Sequence, residues 1–433
     1  MHSFRYQHRR LYCEEVDLEQ VAEKYDTPLY VYSAGTILDH YRRLDEALGD
    51  VSHLICYAVK ANSNRAILDL LARQGAGFDI VSGGELFRVV AAGGDPRRCT
   101  FAGVGKSAEE ITYALDQGVL SFNVESEGEL ARINRIARAK GVQAPIALRI
   151  NPDVETGTHH YISTGRSENK FGVTLDHAAE IYAQVARMPN ISIVGVQMHI
   201  GSQITHAAPF AAAIEKVTPL ILKLKDEFAL EFFSIGGGVG IVYESSFASG
   251  SREWWSEKDR VEATTKLPLT IDDYAAAILP PLRNLGLRVL VEPGRLLVGN
   301  AGVLLTRITY VKQTAQKKFL IVDAGMNDLI RPALYQSYHE IVPIQDMEGA
   351  PHEAVDVVGP VCESADFFAQ DRQLPPMKEG DLLALMSAGA YGFVMASNYN
   401  SRPLPAEVLV AGEKFSLIRR RQTLEDLVRE EGD

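Results

Sequence analysis

The sequence predicts an α/β protein, a (β/α)8 TIM-like barrel joined to a β-rich domain of antiparallel sandwich or barrel type. Three observations lead there. Short apolar runs alternate with amphipathic stretches until eight strands have been counted, and eight such alternations suit a closed parallel barrel, an open doubly wound sheet being the second choice. After Arg295 the period changes to short β-rich runs divided by Pro, Gly and charge. And 433 residues exceed one ordinary core, so two domains are expected.

The elements follow in order. Met1 to Tyr32 is mixed, with a strand at 29–32 after Pro28. Ser33 or Thr36 caps a helix to about Leu48, since Ile37, Tyr41, Leu44 and Leu48 share one face at helical spacing. The eight strand-like runs are 54–59, 78–81, 100–103, 121–124, 146–150, 193–199, 232–235 and 288–292. Helical stretches between them cover 66–74, 84–92, 107–117, 127–140, 176–187 and 210–228. The segment 243–269, polar and Ser-rich with two tryptophans, reads as a long surface loop after the seventh strand. Strands of the second domain are expected at 302–311, 317–323, 353–358, 381–386, 407–410 and 414–418.

Composition narrows the class of protein. With 46% hydrophobic and 23% charged residues the chain is an ordinary globular one, and its net charge of −12 argues against nucleic acid or an anionic membrane as the main partner. The N-terminal stretch has basic residues with no apolar run behind them, and no run of about 18 apolar residues occurs, so neither a secretory signal nor a membrane span is expected. Cys13, Cys56, Cys99 and Cys362 are widely spaced, which speaks against a zinc site or a disulfide framework and for the cytoplasm.

In a barrel the carboxyl ends of the strands share one rim. Listed without regard to function, those ends carry Lys60, Asp79, Arg149, His199 with Ser202, the triplet Gly236, Gly237 and Gly238, and the corner Glu292, Pro293, Gly294 and Arg295. Successive glycines expose backbone N–H groups that suit a phosphate, and barrel enzymes hold phosphate after strands seven and eight, where these two motifs fall. Lys60 closes an apolar strand, and desolvation there favours the neutral amine that Schiff-base chemistry needs. A phosphorylated ligand with such a lysine points to pyridoxal 5'-phosphate, with Glu292 at the pyridine nitrogen and His199 over the ring. Taken singly, each residue has a blander reading: a solvated strand end, a flexible turn, a satisfied core histidine, a carboxylate paired with Arg295.

The motifs YAVKAN (57–62), FDIVSGGE (78–85), HIGSQI (199–204), GGGVGI (236–241), EPGR (292–295), RPALY (331–335), GPVCES (359–364) and AGAYGF (388–393) stand in an order that resembles the diaminopimelate decarboxylases. These are barrel-type (fold type III) pyridoxal-phosphate decarboxylases akin to the ornithine and arginine enzymes. The likeness runs from about Pro28 to beyond Val410. It implies decarboxylation of meso-2,6-diaminopimelate to L-lysine and carbon dioxide, the last step of lysine biosynthesis. It also implies a cofactor-binding barrel over 36–295, with 1–35 and 296–433 forming the β-rich domain that brings substrate and dimer contacts.

By that resemblance Lys60 is the Schiff-base lysine, Ser202 a phosphate contact and Cys362 the general acid. Arg295, Arg331, Tyr335, Glu363 and Tyr391 contact substrate, Tyr391 touching the cofactor too. The family's homodimers share sites through CES, so a homodimer is expected. Read without the family, Arg331 is an exposed loop arginine and Cys362 a small buried hydrophobe. Ala365 stands where the family usually has glycine, and RSENKFG (166–172) is similar to a family loop that orders over the site. The rival readings are a decarboxylase for ornithine, arginine or lysine, a racemase on the same barrel, and a non-catalytic homologue. A racemase needs a second base, which the sequence does not offer, and a non-catalytic homologue usually loses the lysine or the acid, which are present here.

Overall fold

The computed structural model describes residues 1–49, 51–155, 170–258 and 269–432. Its chain divides into two compact units, Met1–Asp39 with Val242–Thr265 and Leu297–Asp433, and His40–Ile241 with Lys266–Leu296. The second of these is the barrel.

The barrel strands are, in chain order, β1 His53–Ala58, β2 Gly77–Ile80, β3 Cys99–Phe101, β4 Ser121–Val124, β5 Ala144–Asn151, β6 Ile191–Met198, β7 Phe232–Ser234 and β8 Arg288–Val291. Each pairs in parallel with the next, and β8 pairs with β1 through Val289 and His53, so the ring closes. Its interior is filled by Leu54, Cys56, Ala147, Val194, Phe232 and Leu290. These include residues of β1 and β5, which face each other across the ring, as expected of a packed barrel with no pore.

The crossover helices form where the apolar spacing asks for them, with caps that satisfy their first N–H groups. Ser107 and Glu110 make a capping box on Ala108–Gln117, which ends at Gly118 in the left-handed region, φ 69°. Ser126 caps Glu127–Lys140 through its side chain, which accepts from the Glu129 N–H. A further helix, Ile271–Arg283, is not among the stretches named above; it carries Pro280 and Pro281 in its last turns, and the capping box of Thr270 and Asp273 starts it.

The other unit is a sheet structure around Leu29, Val31, Val303, Leu305, Ala384, Val408 and Val410. Its strands run in the order 367–374, 353–358, 318–322, 302–313, 29–33, 406–411 and 414–419. The expected β-rich domain is there and most of its pairings are antiparallel, with two exceptions: 29–33 pairs in parallel with 406–411, and 318–322 with 353–358. Antiparallel order follows from hairpins, and these partners are joined by long connections. Strand 367–374 was missed because it lies at the sheet edge with exposed polar residues. A small three-stranded sheet of Phe4–Gln7, Arg10–Cys13 and Val16–Asp17 was also missed, since its hairpin turns through His8 and Arg9 at φ 50° and 61°, without the usual glycine.

The segment after Ile241 is not the surface excursion expected. Ser246 and Ser249 are buried, His2 Nε2 lies 2.7 Å from the Ser246 carbonyl, and Glu340 accepts from the Phe247 N–H at 2.7 Å. Arg252–Lys258 is helical; the expectation for 259–268 lies outside the described residues, as does that for 166–169 of RSENKFG.

Candidate active site

The site is built where the barrel strands end. Lys60 follows β1 in a single 3-10 turn, and Asp79 lies in β2, paired opposite Ala58. Lys60 Nζ donates to Asp79 Oδ2 at 2.8 Å. The Lys60 side chain is 39% exposed and ion-paired with a buried carboxylate, so it is not the desolvated amine expected.

At the opposite side of the Lys60 strand, the Glu-Pro-Gly-Arg corner packs against it. The Pro293 carbonyl accepts from the Ala58 N–H at 3.0 Å, and a Cβ at Gly294 would lie 3.0 Å from the Ala61 methyl. Glu292 is buried, its carboxylate accepting from the Ser234 hydroxyl at 2.6 Å and from the Gln197 amide at 3.1 Å. Burial, then the Asp79 charge, pushes this carboxyl up to about 7. A carboxylate held by neutral donors in low dielectric gains most from a cationic partner, which a pyridine N–H⁺ supplies.

The triple-glycine bend closes the third side. Gly236 and Gly238 have φ of 71° and 110°, and a Cβ on Gly237 would lie 2.1 Å from the Glu292 carbonyl oxygen. Only glycine lets the backbone come this close, as a phosphate cradle requires. Gly237 N–H donates to His199 Nδ1 at 3.3 Å, which leaves the other ring nitrogen to carry the proton. Burial, then Arg149 and Lys60, holds the His199 imidazolium well below its ordinary range, so the ring is neutral. Arg295 donates to Ser202 Oγ at 3.2 Å. The amine, the carboxyl, the imidazole and the glycine cradle therefore converge on one rim, and the residues fit a pyridoxal phosphate group.

Three residues of this rim were missed from the sequence. Ser234 and Gln197 hold Glu292; the first directly precedes the IGGG turn, and the second shares a strand face with His199. Glu125 ends β4, is buried, and accepts from Arg149 at 3.1 Å and from the N–H groups of Gly103 and Gly172 at 2.9 and 3.1 Å. The strand-end rule applied to β4 would have found it.

Arg331, Tyr335, Cys362, Glu363 and Tyr391 belong to the other unit. Arg331 opens a short helix and is 5% exposed, not an exposed loop arginine. Its guanidinium lies 5.1 Å from the Tyr243 ring centroid and donates to His339 Nε2 at 3.4 Å and to Ser337 Oγ at 3.3 Å. Tyr335 is half-buried, and Tyr391 holds a left-handed φ of 56°. Cys362, expected to be buried when read without the family, is exposed, as is Glu363; Cys13, Cys56 and Cys99 are buried, and all four thiols are free. Among the described residues no helix is long and apolar enough to cross a membrane.

Comparison with known proteins shows the family. Residues 34–299 match the family of the pyridoxal-dependent decarboxylases, pyridoxal binding domain. The chain is 49% identical to a diaminopimelate decarboxylase of Vibrio cholerae over 99% of its own length and 98% of that protein's, and 48% identical to one of Pseudomonas aeruginosa at the same coverage. Among solved structures, the diaminopimelate decarboxylase of M. jannaschii superposes with a TM-score of 0.90 at 36% identity, covering 100% of this chain and 98% of that one. The Helicobacter pylori enzyme, complexed with L-lysine, does so at 0.87 and 41%, over 95% and 98%. Family match, full-length likeness and the converging strand ends lead to one conclusion: this chain belongs to the diaminopimelate decarboxylase family of pyridoxal-phosphate-dependent decarboxylases.

Proposed function

We propose that the protein decarboxylates meso-2,6-diaminopimelate to L-lysine and carbon dioxide, the closing step of lysine biosynthesis, as a cytoplasmic homodimer with shared active sites. What carries the reading is the meeting, in a chain so similar to enzymes of that name, of Lys60 and the buried Glu292 on adjoining strand ends.

The bound cofactor supplies an electron sink for the pair released with carbon dioxide. Lys60 would hold its aldehyde, with Asp79 hydrogen-bonded to the Lys60 nitrogen. Glu292 keeps the pyridine nitrogen protonated, His199 offers a neutral ring face, and Gly236, Gly237, Gly238, Ser202 and Arg295 take the phosphate. Asp79, Arg149, Pro293, Gly294 and Tyr391 complete the cofactor's surroundings. Arg295, Arg331, Tyr335, Glu363 and Tyr391 bind substrate; Arg331 reads the distal carboxylate and Glu363 the distal ammonium. The thiol of Cys362, from the CES turn of the partner subunit, gives the α-carbon the proton that replaces the lost carboxylate.

The order of specificity follows from charge. Ornithine and lysine lack a distal carboxylate, which leaves a guanidinium without its partner, and a charge-assisted hydrogen bond is worth about 1.5–3 kcal/mol. Purified protein loaded with pyridoxal phosphate is expected to release carbon dioxide and lysine from meso-diaminopimelate and to turn over ornithine about ten- to a hundredfold less well. Equal turnover of ornithine overturns the reading.

A further inference from the structure

The side chain of Cys362 is exposed. Its main chain is held instead. The Cys362 N–H donates to Asn400 Oδ1 at 2.9 Å, and the preceding N–H, of Val361, donates to Asp366 Oδ2 at 2.6 Å. Asp366 Oδ1 accepts from the Met326 N–H at 2.6 Å, so the CES turn is tied to the segment that leads into the Arg331 helix. Nothing larger than glycine fits beneath this clamp, since a Cβ at Gly359 would lie 2.4 Å from Asp366 Oδ2.

Asn400 is unusual on its own side of the bond. Its φ and ψ are 56° and 28°, and Ser401 follows at φ 53°. Two successive non-glycine residues in the left-handed region are costly, and asparagine is among the side chains that bear that conformation best. The turn is pinned on both sides. Ser397 N–H donates to the Asn327 carbonyl at 2.9 Å, Asn398 Nδ2 donates to Gln422 Oε1 at 2.6 Å, and Arg402 donates to the Asp323 carbonyl at 2.7 Å. An exposed hydrogen bond adds little to stability, so a strained and doubly anchored turn that delivers one calls for another purpose.

We propose that Asn400 is a positioning residue for Cys362, its side-chain oxygen setting the main chain from which the proton-donating thiol projects. The inference rests on the reading of Cys362 as general acid. Misplacing a catalytic group by about 1 Å can cost about a hundredfold in rate. Asn400→Gly keeps the left-handed backbone and loses the acceptor; Asn400→Ser, whose hydroxyl falls short, is a second loss variant; Asn400→Asp keeps both acceptor and conformation.

The expected result in the holoenzyme is a fall in kcat of about ten- to a hundredfold for the Gly and Ser variants at near-constant KM. Cofactor absorbance and melting temperature should be retained, the solvent deuterium isotope effect on kcat should rise, and Asn400→Asp should restore most of the loss. In cofactor-free protein, iodoacetamide alkylation of Cys362, followed by mass spectrometry, should quicken in the Gly and Ser variants and not in the Asp variant. Wild-type kcat in both loss variants overturns the inference, and so does a loss that leaves the isotope effect unchanged or that Asp fails to rescue. Cys362→Ala separates this from the parent reading. If it turns over at the wild-type rate, the general-acid assignment fails; if it is crippled while Asn400→Gly is not, only the positioning role fails.

Discussion

The two units build their share of the chemistry in opposite ways. In the barrel, Lys60, Asp79, Arg149, His199 and Glu292 reach one rim because they end parallel strands of a closed ring, so topology alone gathers them. In the β-rich unit the residues of interest sit on turns and a short helix, and hydrogen bonds from neighbouring turns, such as Asp366 to Val361 and Asn400 to Cys362, fix them. A barrel rim is thus robust to changes in loops. A loop-built site is only as firm as its few polar clamps.

Substitutions at each place sharpen that contrast, and the largest effect is expected at Lys60. Lys60→Ala should remove turnover altogether and abolish the absorbance of lysine-bound cofactor, since the proposed covalent attachment is lost; steady-state decarboxylation by the variant would break the scheme. Glu292→Gln, which leaves the barrel intact, should lower kcat by about a hundredfold or more, as removal of one preorganised charge partner does; an unchanged kcat would deny Glu292 its role at the pyridine nitrogen.

On the other side of the comparison, Arg331→Lys keeps the charge and loses the fork, so KM for meso-diaminopimelate should rise by about tenfold or more while cofactor binding is unaffected. Gly359→Ala forces a Cβ against the Asp366 carboxylate and should cost about 1–3 kcal/mol of stability, read by denaturant unfolding, because the clamp must open. The smallest effect concerns pH. In the cofactor-free protein Glu292 titrates near 7 when folded and near 4.5 when unfolded, so the native state binds its proton more tightly. The stability this contributes is complete below about 4.5 and is lost as pH rises through about 7. The melting temperature of wild type relative to Glu292→Gln should therefore fall across that window; a flat difference would contradict the burial of this carboxyl. Glu85 and Asp328 are also pushed up to about 7, and taking the difference cancels them.

The same contrast explains what could be read from the sequence. Barrel strands and helices announce themselves through apolar runs and 3.6-residue spacing, and strand-end residues follow from the fold without further knowledge. Ser234, Gln197 and Glu125 escaped because they serve other side chains and bear no motif of their own. In the β-rich unit, Arg331 looked solvent-exposed because its shelter, Tyr243, His339 and Ser337, comes partly from distant sequence. Strand 367–374 carries Gln370, Asp371 and Arg372 on an edge that tolerates them, and Pro280–Pro281 hid a helix whose start was well capped. The polar look of 243–258 concealed buried serines whose hydroxyl and carbonyl groups are satisfied by each other and by Glu340.

Closure of the ring by the first and last strands has a consequence for synthesis. Lys60 and Glu292, the two residues proposed to hold the cofactor, follow adjacent strands but emerge from the ribosome at opposite ends of the barrel-coding stretch. A nascent chain halted before the Glu-Pro-Gly-Arg corner has Lys60 without its neighbouring wall. On the proposed roles, the pair is complete only once the whole ring has been translated.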